Sequence, residues 1–163
     1  MGNISYEELK KMSIKDYFKF FESFISKNSN IDGLTNLFTD KEFVDKKPYL
    51  YRRALSSRDD RFCKIEIVFD DENKLRAIVW DLEILLSDIV EIFGDFKLVN
   101  EPFSNTTAFI FESSNPQISE FKTRCSGWLV KSDSLESFVF YDQEKQNIEV
   151  HNPKVSFLQL NTT

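Results

Sequence analysis

The clearest pattern of apolar positions lies near the start of the chain and has the spacing of a helix. After Ser13, apolar residues recur every three or four positions, while charged residues and serine fill most positions between them. This spacing predicts an amphipathic helix that buries one face. Ser13 is a suitable N-cap, with Asp16 three residues later as a capping-box partner, and a short helical turn over 5–12 precedes it. The apolar stripe consists of Ile14, Tyr17, Phe18, Phe21, Phe24 and Ile25.

The middle of the chain predicts a strand hairpin followed by a second helix. Residues 63–69 alternate with a period of two, 70–74 form a polar turn, and 75–82 return with Ile78, Trp80 and Leu82 on one face. After Leu82 the apolar period changes to 3.6 and continues to Phe93. Gly94 stands where a helix C-cap belongs.

The last third of the chain predicts short strands. Segments rich in aromatic or β-branched residues are separated by clusters of Asn, Ser, Asp or Pro, and a short helix is predicted over 116–122. Helices early and consecutive strands late predict an α+β fold. An N-terminal amphipathic helix and a central helix would pack on one face of a mostly antiparallel sheet. The predicted strands cover 106–112, 128–131, 135–141, 147–150 and 155–160.

The length of 163 residues predicts one domain over 1–163, with a helical part over 5–45 and a sheet-rich part over 49–160. The 17 Phe residues supply a large buried area, whereas 4 Gly leave few positions for a glycine-dependent phosphate site. The first residues lack the apolar run of a signal peptide, and no window reaches the roughly 18 uncharged apolar residues of a membrane span. We therefore expect a cytoplasmic protein without a membrane partner.

The net charge of −6 is unevenly distributed. Residues 45–64 carry seven basic and three acidic side chains, a net charge of +4, and residues 65–163 carry eight basic and seventeen acidic ones, a net charge of −9. An acidic body disfavours general nucleic-acid binding, which draws its affinity from Lys and Arg on phosphates. The surplus predicts one continuous acidic exterior that would steer a basic protein partner into contact.

No catalytic, metal or cofactor motif stands out, so the chain is not expected to be an enzyme. His151 is the only histidine, and no Gly-x-Ser-x-Gly turn presents a nucleophile. Two cysteines and one histidine far apart in sequence make a poor zinc ligand set. Cys63 and Cys125 are expected to be buried or half-buried free thiols, with a single long-range disulfide as the alternative.

These observations favour a small acidic protein-binding module that blocks a basic partner by steric occlusion, as an inhibitor or immunity-type protein does. The composition is typical of small bacterial or phage-encoded binding proteins, toxin-neutralising immunity proteins among them. A polar loop over 100–107 with one exposed phenylalanine, Phe103, could also carry recognition. The candidate contact residues are Trp80, Glu83, Asp88, Glu91, Asp95 and Trp128.

The alternative function is a regulatory or adaptor domain that binds a phosphate-bearing ligand or an acidic partner. It would use the basic strip within 52–61, because arginine grips phosphate or carboxylate bidentately. The same arginines could instead lie on opposite faces of a strand and pair with local acids. The strip consists of Arg52, Arg53, Arg58 and Arg61.

Overall fold

The computed structural model describes residues 6–27, 41–46, 52–57, 64–70, 74–132, 138–142, 147–150 and 152–163. Three α-helices lie in these ranges: α1 (Tyr6–Lys11), α2 (Ile14–Lys27) and α3 (Leu86–Phe93). The strands are β1 (Lys41–Lys46), β2 (Arg52–Ser57), β3 (Lys64–Phe69), β4 (Leu75–Leu85), β5 (Phe96–Glu101), β6 (Thr106–Phe111), β7 (Ile118–Ser126), β8 (Trp128–Ser132), β9 (Phe138–Asp142), β10 (Asn147–Val150) and β11 (Lys154–Thr162).

The strands form two antiparallel sheets. The larger has eight strands in the order β1-β2-β3-β4-β11-β7-β6-β5, and the smaller has three in the order β10-β9-β8. The C-terminal strand β11 therefore lies between β4 and β7 in the middle of the larger sheet. Helices combined with a large antiparallel sheet make this an α+β fold, as the sequence pattern predicts.

The local patterns near the start of the chain and around the hairpin are confirmed. The Ser13 hydroxyl accepts a hydrogen bond from the Asp16 N–H at 3.1 Å, which is the predicted N-cap of α2. β3 and β4 pair as a hairpin, and β4 leads directly into α3. At the end of α3 the Gly94 N–H donates to the Val90 carbonyl at 2.7 Å, and its φ of 86° is one that glycine adopts without strain.

One face of the larger sheet carries an aromatic core. Trp80 of β4 is fully buried, and its indole N–H donates to the Tyr17 hydroxyl at 3.0 Å. The rings of Phe18 and Phe21 meet Trp80 edge-on, with centroids 5.1 and 5.2 Å away. Phe93 of α3 reaches the same face, because its ring lies 5.5 Å from that of Phe18 and the sheet residue Phe121 also contacts it. α2 and α3 thus pack together on this face.

Three segments differ from their predictions because strand pairing outweighs local spacing. The predicted helix over 116–122 is wrong: Ile118 begins β7, whose residues alternate in burial and pair with β6 and β11 on both sides. Residues 41–46, placed in the helical part, form β1 and pair with β2. β5 had no predicted strand over its length.

The smaller sheet continues from β7 and lies beside β5 and β6. The Asn100 side chain of β5 joins β8 through two hydrogen bonds, to the carbonyl and from the N–H of Leu129. Phe140 of β9 is buried against Phe109 of β6, with ring centroids 6.4 Å apart. The small sheet therefore contributes Phe140 to the same core. The prediction of one domain over 1–163 stays a prediction.

Candidate protein-binding surface

The exposed side of α3 carries two acidic residues, Asp88 and Glu91, and a third, Asp95, follows the C-cap Gly94 just after the helix. Asp88, Glu91 and Asp95 follow one another at spacings of three and four, and all three are exposed. Leu86, Ile89 and Val90 bury the opposite side of the helix. We call these three acidic residues the acidic ridge. Within the described part of the chain, no cationic side chain forms an ion pair with any of them.

Contacts from a distant part of the chain fix the start of α3. Leu85 occupies the N-cap position but provides no side-chain cap. The Leu86 N–H donates to the Pro153 carbonyl at 2.8 Å, and the Ser87 N–H donates to Asn152 Oδ1 at 3.1 Å. These bonds satisfy helix N–H groups that would otherwise lack acceptors. The segment before β11 therefore positions the acidic ridge relative to the sheet.

Two other candidate contact residues lie close to α3 in sequence. Glu83 is exposed near the end of β4 and forms an ion pair with Lys154 at 3.6 Å. Trp80 is a different case, because its side chain is fully buried among the aromatic rings of α2. A buried indole cannot touch a partner, so the prediction of Trp80 as a contact residue is wrong, and Trp80 is part of the core. Its place on the apolar face of β4 already favoured burial.

Trp128 lies away from the acidic ridge. It begins β8 after Gly127, beside the Asn105 end of the β5–β6 hairpin, whereas α3 precedes the start of β5. Its ring is half-buried at 6.4 Å from that of Tyr141. Its indole nitrogen is buried and has no hydrogen-bond acceptor among the residues that the structure describes. The structure therefore does not bring Trp128 together with Asp88, Glu91 and Asp95.

Among the described residues, ion pairs compensate several of the acidic side chains and so interrupt the acidic exterior that the charge count predicts. Asp70 pairs with Arg76 at 2.8 Å, and Glu112 pairs with Lys97 at 3.4 Å. Glu101 Oε1 accepts from Arg124 Nε at 2.6 Å. The hydrogen bond from Arg124 holds the pKa of Glu101 below its usual value. The sheet brings together side chains that are far apart in sequence, which the charge count along the chain does not reveal.

The basic strip is only partly described. Arg52 and Arg53 are consecutive residues of β2, so positions 52 and 53 belong to opposite faces of the sheet. In the register, Arg53 stands opposite Asp45 and Arg52 opposite Lys46. Arg58 and Arg61 lie outside the described residues. The ligand site predicted from these four arginines therefore stays a prediction.

Candidate chemistry is sparse in the described ranges. Cys125 is a free, buried thiol, and burial raises its pKa to about 12, so it is protonated and a poor nucleophile near neutral pH. No group of three His, Cys, Asp or Glu side chains that could hold a metal occurs among these residues. His151 and Cys63 lie outside them.

Exposed apolar residues collect along β5 and its surroundings. Leu98 and Val99 of β5 are 40% and 49% exposed, and Val130 of β8 is also exposed. Phe103, which the polar loop over 100–107 predicted as exposed, is fully exposed in a short 3-10 helix after β5. The β5 residues were missed as surface candidates because the strand itself was not predicted. They are exposed because β5 lies at the edge of the sheet, and that position depends on how the strands pair.

The chain matches no protein-family model, no curated protein and no solved structure. None of the helices in the described ranges is long and apolar enough to cross a membrane.

Proposed function

We propose that this protein is a small protein-binding module of the inhibitor or immunity type. Its acidic ridge engages a basic surface on a partner protein and blocks that surface sterically. The observation that carries this proposal is the charge of Asp88 and Glu91 on the exposed side of a positioned helix, with Asp95 just after it, and no ion pair to any of the three within the described ranges. Acidic side chains held without local cations favour a cationic partner, both in orientation and in the rate of encounter.

Rigidity of the ridge supports a binding role. α3 is anchored by its buried face, capped by the segment before β11 and ended by Gly94. A contact surface that is ordered before binding loses less conformational entropy on association than a mobile one. The ridge also projects away from the sheet, because Leu86, Ile89 and Val90 occupy the inner side of the helix. A partner can therefore approach it without displacing the core.

The decisive experiment compares two charge-reversed variants. Immobilised wild type, Asp88→Lys/Glu91→Lys and Asp81→Lys/Glu120→Lys are each used to capture proteins from the source cells. The control variant has the same net charge change but places it on the other face of the sheet, since Asp81 adjoins Trp80 along β4 and Glu120 adjoins Phe121 along β7. We expect one basic protein to bind wild type and the control and to be lost with the α3 variant.

The captured partner then allows a kinetic test. We expect its association rate with wild type to fall about tenfold or more between low and high salt, with a smaller change in the dissociation rate. Equal capture by all three forms, or association that does not depend on salt, contradicts the proposal. Loss of capture by both variants would attribute binding to net charge and would remove the ridge as the contact surface.

A further inference from the structure

The free edge of the larger sheet at β5 has the features of a strand that pairs with another strand. β5 is hydrogen-bonded to β6 on one side, and it ends the strand order, so no strand of the described ranges pairs with its other side. The four central residues, 97–100, are all exposed. Such an edge presents unpaired N–H and C=O groups. No proline interrupts β5, and its two central residues, Leu98 and Val99, are apolar.

We propose that β5 pairs antiparallel with β5 of a second copy of this chain, so that two eight-stranded sheets join across a two-fold axis at Val99. This inference is independent of the proposed function, because it rests on residues 97–101 of β5 and not on Asp88 or Glu91 of α3. In this register Lys97 of one copy stands opposite Glu101 of the other, and Val99 stands opposite Val99. The pairing is isologous, as most homodimer interfaces are.

Charge complementarity selects both the occupant and the register. Lys97, Val99 and Glu101 lie two residues apart and share one face of the sheet. Among symmetric antiparallel registers of β5, only the one centred on Val99 places Lys97 opposite Glu101 twice. Centring on Leu98 would instead place the Lys97 ammonium opposite Val99. A strand that is its own electrostatic complement fits a second copy of itself.

Both charged groups have capacity for the new contact. The Lys97 side chain is 78% exposed, and its present partner Glu112 is 80% exposed, so that ion pair is weak and can be exchanged. Glu101 accepts hydrogen bonds from Arg124 at both oxygens and from the Thr106 hydroxyl at Oε1, which leaves about one of the four acceptor positions of a carboxylate. Arg124 thus fixes the carboxylate in place while leaving room for Lys97 of the second copy.

The surroundings of β5 add apolar contact at the ends of the pairing. Phe103 lies two residues beyond the end of β5 and is fully exposed, and the proposed register brings it alongside the start of β5 in the other copy. Phe96 at that start is only half-buried. A pairing of six residues with such flanking contacts lies at the low end of specific interfaces, which bury about 1,200–2,000 Å². We therefore expect a reversible, concentration-dependent dimer.

Sedimentation velocity on the full chain, from micromolar to near-millimolar concentrations, tests the pairing. We expect wild type to shift from monomer to dimer over this range. Val99→Lys places two like charges opposite each other on the axis and should weaken the dimer about tenfold or more. The matched control is Leu85→Lys. Leu85 is also apolar and is 38% exposed, against 49% for Val99, but it lies far from β5, so this change should leave the dimer unchanged.

A charge exchange tests the register. Lys97→Glu alone and Glu101→Lys alone each place like charges opposite each other, so both should be monomeric at concentrations where wild type dimerises. Their equimolar mixture restores both opposite-charge pairs and should dimerise again. A monomeric wild type, or a dimer that survives Val99→Lys and Lys97→Glu, overturns the proposal. Circular dichroism confirms the fold of each variant, and Lys97→Glu, at an exposed position, keeps the test valid if Glu101→Lys unfolds.

Discussion

Buried polar side chains join the two sheets of this protein. The Thr107 hydroxyl is fully buried, lies 2.8 Å from the Gly127 carbonyl and 2.9 Å from Asn100 Oδ1, and accepts the Leu129 N–H. The Asn105 amide donates to the buried Asp142 carboxylate at 2.8 Å. Because buried polar groups are costly when unpaired, these bonds hold the three-stranded sheet in one orientation against β5 and β6.

The bond between Trp80 and Tyr17 gives a prediction at the scale of a single hydroxyl group. Tyr17→Phe keeps the ring but leaves the buried Trp80 N–H without this acceptor, and we expect the free energy of unfolding to fall by about 1–3 kcal/mol. Urea denaturation followed by tryptophan fluorescence measures the change. The control is Tyr141→Phe, whose hydroxyl forms no hydrogen bond within the described ranges and whose loss should cost about 0.5 kcal/mol or less. Equal losses would contradict the importance of this bond.

Two glycines mark element boundaries in this protein, one at the end of a helix and one between two strands. Gly94 ends α3 and Gly127 connects β7 to β8, and both have a φ of 86°. Their surroundings differ. A Cβ at position 94 would meet nothing within 4 Å, whereas a Cβ at position 127 would lie 3.0 Å from the Tyr141 carbonyl oxygen. Gly127 therefore allows β8 to turn back closely against β9, and Gly94 serves the backbone conformation alone.

This difference predicts unequal effects of alanine at the two glycines. Gly94→Ala introduces backbone strain without a clash and should cost about 1–3 kcal/mol. Gly127→Ala adds the contact with Tyr141 to the same strain and should cost more, with loss of order centred on β8 and β9. Thermal unfolding compares the two free energies, and amide hydrogen exchange locates the change. A smaller loss at Gly127 than at Gly94 would contradict the role of close approach.

Across the whole molecule, the two proposed surfaces occupy different places. Asp88 and Glu91 lie on α3, which covers the core face, and the dimer surface lies at the β5 edge, with Asp95 between the two elements. Trp128 adjoins the far end of β5 rather than the ridge. Since residues that share no contact partners act nearly independently, binding of a basic partner and pairing of two copies should be separable by mutation.

The whole-molecule prediction is a crossed comparison of two variants. Val99→Lys should weaken dimerisation about tenfold or more while leaving capture of the basic partner unchanged. Asp88→Lys/Glu91→Lys should have the opposite effects. Sedimentation velocity and partner capture are measured on both variants under the same salt conditions. Loss of both activities in a variant that keeps its fold would show that the surfaces are coupled.

The sequence by itself determined the elements whose residues contact one another locally. The stripe from Ile14 to Ile25, the β3–β4 hairpin and the change of period before α3 were predictable, because alternation and helical spacing report which side chains face the core. Exposure of Phe103 followed from its polar loop. The α+β fold class followed from the order of these elements along the chain.

Tertiary structure alone decided the strand neighbours and therefore the surfaces. Residues over 118–122 have apolar spacing compatible with a helix, yet pairing with β6 and β11 satisfies their backbone groups and makes a strand. Arg124 pairs with Glu101 across 23 positions in sequence, and β5 is an edge because the chain returns through β7 and β11 to the middle of the sheet. Ion pairing and edge exposure depend on which residues far apart in sequence become neighbours in the fold. A local pattern of apolar and polar positions does not show this.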